Sequence, residues 1–99
     1  MSIFIIVEYI PWIESHIALK LARNGTDYEQ VRQVLASNIK ELRGKRGLSQ
    51  EALALSADVD RTYVSQIERA VGNPSLLVLC KLGTVLNKDV CDLLVTPQA

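Results

Sequence analysis

Apolar residues recur along this chain in two rhythms, and the change of rhythm divides it. In Ile3-Phe4-Ile5-Ile6-Val7-Glu8-Tyr9-Ile10 β-branched and aromatic residues dominate, and Ile3, Ile5, Val7 and Tyr9 make one wholly apolar face, the pattern of a short strand. No second strand follows with which it would pair. Pro11 closes the run, and Ile13, Ile17 and Leu21 then recur every four residues, predicting a short helix that ends at Asn24-Gly25. Residues 1–25 therefore read as an N-terminal extension, strand, helix or both, acting as a packing or dimerisation arm.

From residue 26 onward only the helical rhythm remains. Thr26-Asp27-Tyr28-Glu29 has the form of a capping box, in which the Thr hydroxyl and the Glu carboxylate satisfy free amide donors at a helix start. Val31, Val34, Leu35, Asn38, Ile39 and Leu42 then form one stripe of a first helix running to about Arg46, with Gly47 beyond it. Ser49 caps a short second helix carrying Ala52, Leu53 and Ala57, and Asp60 caps a third that passes through Ile67 to about Arg69. Ala70-Val71-Gly72-Asn73-Pro74 is turn material. Ser75 opens a fourth helix with Leu76, Leu79, Leu82, Gly83 and Leu86 toward the core, ended by Asn87. Asp89, with Asp92 three residues later, caps a last short helix carrying Val90, Leu93 and Leu94. The expected fold is all-α, five helices in residues 26–95, with residues 96–99 a frayed tail.

Length and charge narrow what such a bundle does. A chain of 99 residues encloses one modest core, which excludes two catalytic domains and makes a stabilising second copy plausible. Eleven Lys and Arg balance eleven Asp and Glu, so no uniformly basic surface coats a polyanion, although a local basic face remains open. Cys80 and Cys91 have no second pair and no histidine cluster beside them, which points to reduced thiols rather than to disulfides or a metal site. The longest apolar run of the extension is five residues, Ile3 to Val7, with no basic residue before Lys20. Neither a signal peptide nor a membrane span is expected, and the location expected is cytoplasmic.

Between Leu48 and Pro74 two short helices meet at a turn of three or four residues, with Ala54 and Ala57 small where helices must approach. This is the pattern of a helix-turn-helix, which lays its second helix in the DNA major groove while the first braces it and aims its N-terminus at phosphate. Gln50 begins the bracing helix and suits a phosphate. Arg61, Thr62, Ser65 and Gln66 fall on the exposed side of the third helix, opposite Val64 and Ile67. Arg61 can clasp guanine O6 and N7, and Gln66 suits adenine. Thr62 offers a methyl and a hydroxyl, and Tyr63 a ring for a base methyl or sugar and a hydroxyl for phosphate. Arg69 and Asn73, at the far end, suit phosphates. Lys40, Lys45 and Arg46 read as a solvated polar face, and His16 stands alone.

The segments Asn38-Ile39-Lys40-Glu41-Leu42-Arg43, Gly47-Leu48-Ser49-Gln50-Glu51-Ala52-Leu53-Ala54, Asp60-Arg61-Thr62-Tyr63-Val64-Ser65-Gln66-Ile67-Glu68-Arg69 and Asn73-Pro74-Ser75-Leu76 resemble the XRE, or Cro and phage-repressor-like, helix-turn-helix family. The likeness covers residues 35–94, and the third helix looks most like those of restriction-modification controller proteins. It implies a small homodimeric regulator on paired half-sites, base or backbone contacts at Arg61, Thr62 and Tyr63, a phosphate contact at Gln50, and an Arg43–Glu68 pair joining the first helix to the third. Two departures stand out. Gly72 occupies a place where relatives often carry a basic residue. On the outer face of the fourth helix, where relatives tend to place charge, this chain has Leu77 and Cys80, with Val78 and Val85 nearby, and the added apolar extension is expected to cover that face in its own subunit or the partner's.

The exposed members of Leu86, Val90, Leu93, Leu94 and Val95 are the expected dimer surface, since a two-fold pair of recognition helices one DNA turn apart gives affinity and palindromic specificity. The partners expected are thus double-stranded DNA and a second copy, with no cofactor, metal or small-molecule substrate. An enzyme fails on inventory, because no nucleophile has a nearby His and acid and no phosphate-binding glycine loop exists. The competing reading is an antitoxin-type module that binds a toxin and regulates its own operon. A misassigned start, with the functional chain beginning near residue 26, would make the extension irrelevant.

Overall fold

The computed structural model describes residues 27–97, so the strand, helix and arm expected of residues 1–25 lie outside the described residues, as do Thr26 and the last two residues of the tail. Five helices and no strand are found among the described residues: α1 (Tyr28–Lys45), α2 (Gln50–Ala57), α3 (Arg61–Glu68), α4 (Leu76–Leu86) and α5 (Val90–Leu94).

Most helix starts fall where the short polar residues put them. Ser49, Asp60 and Ser75 each have extended backbone, and their side-chain oxygens accept from the amides of Ala52, Thr62 and Val78 at 3.0, 2.8 and 3.2 Å. Two caps differ from expectation. The N-cap of α1 is Asp27, whose carboxylate accepts from the Gln30 amide at 3.3 Å. Glu29 pairs with the side chains of Arg32 and Gln33, and the Thr26 half of the expected capping box lies outside the described residues. Asp89 sits at the N-cap of α5 without a side-chain cap bond.

Leu35, Ile39, Leu53, Ala54, Ala57, Val64, Ile67, Val78, Leu79, Leu82, Leu86 and Leu93 form a single core to which every helix contributes. α1 packs on α3 and α5, α2 on α3 and α4, and α4 on α5. The rotation of α4 departs from expectation at its first turn. Val78 is buried and Leu76 is 71% exposed, the reverse of their assignments. Leu79, Leu82 and Leu86 form the buried ridge, Val78 joins it from four residues before Leu82, and Leu76 and Leu77 in the first turn stay outside.

Gly83 allows the chain to return tightly from α4 to α5. A Cβ there would lie 2.5 Å from the Lys88 carbonyl oxygen, and the Gly83 carbonyl accepts from Lys88 N at 2.9 Å while Asn87 takes φ 56°. The end of α5 is held from the far side of the domain. Asn38, 4% exposed on the otherwise apolar stripe of α1, donates through Nδ2 to the carbonyls of Leu93 and Val95 at 2.8 Å and of Asp92 at 3.3 Å. These carbonyls have no helical partner, and the side-chain amide satisfies them in place of water. No described helix is long and apolar enough to cross a membrane.

Candidate nucleic-acid interface

α2 and α3 meet across the three residues Asp58-Val59-Asp60. Asp58 takes the left-handed φ of 55°, and Val59 N returns to Ala54 O at 3.0 Å, which turns the chain sharply enough for Ala54 and Ala57 to be buried at the crossing. Asp60 then starts α3, and the Thr62 amide that it caps holds its carboxyl below the usual range, so its charge stands at the positive end of the helix.

Helical periodicity divides α3 cleanly. Val64, Ile67 and Glu68 are buried, while Arg61, Thr62 and Tyr63 are exposed, Tyr63 at 45%. Ser65 and Gln66, expected on the exposed side, are half-buried. Gln66 lies over Gly72, where an added Cβ would come within 3.3 Å of its Oε1. Arg69 is exposed and folds back so that its Nε donates to Ser65 O at 3.3 Å. Asn73 is exposed in the turn after α3.

α3 is anchored through Glu68, whose side chain is 2% exposed. Arg43 donates to it twice, Nε to Oε2 at 2.6 Å and Nη2 to Oε1 at 2.9 Å, and its Nη1 donates to Leu48 O at 2.9 Å. A two-pronged guanidinium fixes orientation as well as distance. Burial alone would raise the Glu68 carboxyl, but the hydrogen bonds from Arg43 and Gln50 and the Arg43 charge outweigh it and hold the carboxyl below its ordinary value. The expected tie between first and third helix is present.

Gln50 is committed further than the sequence suggests. Its Nε2 donates to Glu68 Oε1 at 3.1 Å, so the first residue of α2 is joined to the last of α3. An amide nitrogen has a second hydrogen, which remains for an acceptor outside. Gly72 is equally constrained. Its φ of 80° disfavours any side chain, and its carbonyl accepts from the Tyr28 hydroxyl at 2.8 Å, while Arg32 stacks over the Tyr28 ring at 4.7 Å. Nothing in the local sequence near residue 28 signals a contact 44 residues away.

Of the residues expected at a dimer surface, Leu86 and Leu93 are 2% and 0% exposed inside the subunit's own core, and so are unavailable to a partner. Val90, Leu94 and Val95 are half-buried. Among the described residues no group of three or more His, Cys, Asp or Glu is placed to hold a metal ion.

This arrangement has relatives. A Neisseria meningitidis protein described as a hypothetical transcription factor is 40% identical over 80 residues, 81% of this chain and 76% of that protein. The restriction-modification controller protein C.AhdI of Aeromonas hydrophila is 39% identical, with a TM-score of 0.59 over 63% of this chain and 94% of that one. The biofilm regulator SinR, solved in complex with DNA, is 39% identical, with a TM-score of 0.57 over 61% of this chain and 97% of that one. The family model HTH_3, described as Helix-turn-helix, matches residues 39–93, which span the later part of α1, all of α2, α3 and α4, and α5 up to Leu93; this chain belongs to that helix-turn-helix family.

Proposed function

We propose that this protein is a sequence-specific DNA-binding transcriptional regulator of the controller type, working in the cytoplasm as a homodimer on a palindromic operator and without catalytic activity. The observation that carries this reading is the division of α3. Its first turn presents Arg61, Thr62 and Tyr63 to solvent, while Val64, Ile67 and the Arg43-bound Glu68 fix the helix from behind. A helix held rigidly with donors at its exposed N-terminal end is what major-groove readout requires.

Arg61 reads a guanine, Thr62 and Tyr63 add base or backbone contacts, and Gln66 lies one turn deeper. Gln50, Arg69 and Asn73 hold phosphate, and Ser65 flanks them. The remaining hydrogen of the Gln50 amide supports its part, since Glu68 has already oriented the group. Val90, Leu94 and Val95 supply apolar surface toward the second subunit. SinR's solution with DNA and C.AhdI's controller role support this reading by likeness.

Selection of bound sequences from random DNA, followed by a salt titration, tests it. The expected result is an enriched palindrome bound by a protein pair. Arg61→Ala should cost about 1–3 kcal/mol and relax one base position per half-site, whereas Gln50→Ala should weaken all sites evenly. A shallow salt slope with no enriched sequence would refute the proposal.

A further inference from the structure

The exposed face of α4 is unusual for a helix in a small domain. Leu76 and Leu77 are 71% and 64% exposed, and Cys80, one turn further along, is exposed as well. Thr84 follows with its hydroxyl turned inward to donate to the Cys80 carbonyl at 2.9 Å, so it offers little polarity to solvent. Lys81, the cation within α4, is directed at the Asp58 carbonyl at 3.2 Å. What remains is an uncharged apolar strip one helix turn or more in length, of a kind that isolated domains rarely leave in water.

The start of α1 is tied to the turn that leads into α4. The Tyr28 hydroxyl bonds to Gly72 O at 2.8 Å, and Gly72 is separated from Ser75, the N-cap of α4, by only Asn73 and Pro74. The chain that precedes Asp27 therefore joins the domain at a helix whose first turn is fastened to the turn before Leu76 and Leu77. That stretch is 26 residues long and holds Ile3, Ile5, Val7 and Tyr9 on one alternating face, with no charged side chain before Glu8. Reach is no obstacle. Extended chain covers about 3.3 Å per residue, while the 11 residues of α4 span roughly 16 Å.

We infer that the α4 face is the seat of this chain's own N-terminal segment, with the apolar positions Ile3, Ile5 and Val7 covering Leu76, Leu77 and Cys80 of the same subunit. Point of entry, length and matching lack of charge all favour that occupant over a foreign protein.

Two native thiols make the test direct. Cys80 lies on the strip and Cys91 on α5, and both are exposed on the described domain. Full-length protein is treated with limiting iodoacetamide, the rate at each cysteine is read by peptide mass spectrometry, and each is divided by its rate in 8 M urea. Cys80 should react at least tenfold more slowly than Cys91, with the ratio unchanged when the protein is diluted a hundredfold. The double substitution Ile5→Asp with Val7→Asp should bring the two rates within about twofold. Equal normalised rates in the unaltered chain would overturn the inference, and that measurement needs no variant. Protection lost on dilution would overturn it in favour of a second copy, and protection indifferent to the double substitution would overturn it as well.

Discussion

Glu68→Ala removes the carboxylate that joins three elements, and its cost follows from the geometry. The side chain accepts two hydrogen bonds from Arg43, at 2.6 and 2.9 Å, and one from Gln50 at 3.1 Å, and it is 2% exposed. Removing one partner of a buried ion pair costs about 3–5 kcal/mol, because the other charge is left without compensation. The Arg43 side chain is 20% exposed and keeps its bond to Leu48 O, so water relieves part of that penalty and the expected loss is about 3 kcal/mol. For a domain of this size that lowers the melting temperature by roughly 15 °C. Urea unfolding followed by far-ultraviolet circular dichroism measures it, with Glu41→Ala as the comparison. Glu41 bonds Lys45 at 3.2 Å in an exposed pair, and its removal should cost at most about 0.5 kcal/mol. The bonded carboxylate also makes stability depend on pH. The folded Glu68 carboxyl lies below its unfolded value near 4.5, so its stabilisation is complete above that pH and drains away as pH falls through the folded value. Glu68→Gln should therefore flatten the acid limb of the stability curve. A loss below about 1 kcal/mol in Glu68→Ala, equal to that of Glu41→Ala, would refute the claim that burial gives this pair its weight.

Two further contacts carry consequences for stability. Asn38→Ala strips the donor from the Asp92, Leu93 and Val95 carbonyls and should cost about 2–3 kcal/mol in urea unfolding, with hydrogen exchange accelerated first in α5. Gly72→Arg places a side chain at φ 80° against Gln66 and should lower stability by about 1 kcal/mol or more in the same assay.

The fold was legible wherever local chemistry decides. Ser49, Asp60 and Ser75 cap helices because a short polar side chain reaches an amide two or three residues on, and the sequence alone places them there. The exposure of Arg61 and Thr62 on α3 was legible too, since Val64 and Ile67 set its inner face, but Ser65 and Gln66, expected beside them, are half-buried. What escaped depends on rotation or on distant partners. Leu76 and Val78 exchange places because α4 turns its Leu79–Leu82–Leu86 ridge inward, and two leucines and a valine in a row fit either orientation. Leu86 and Leu93 count as core because α5 folds back over α4 at Gly83, an approach measured between backbones. Asn38 sits on an apolar stripe like a flaw in the pattern until the carbonyls 54 to 57 residues later come to meet it.

That last contact bears on the order in which the domain closes. The acceptors of Asn38 include Val95, and α5 packs on α1. α2 with α3 and α4 with α5 are joined by short connections and can form through local contacts, whereas the clasp of Asn38 spans 54 to 57 residues and gathers the chain between into one loop. Until α5 arrives, α1 carries a polar amide on its apolar face with nothing to receive it, so the two ends of the domain close together or not at all.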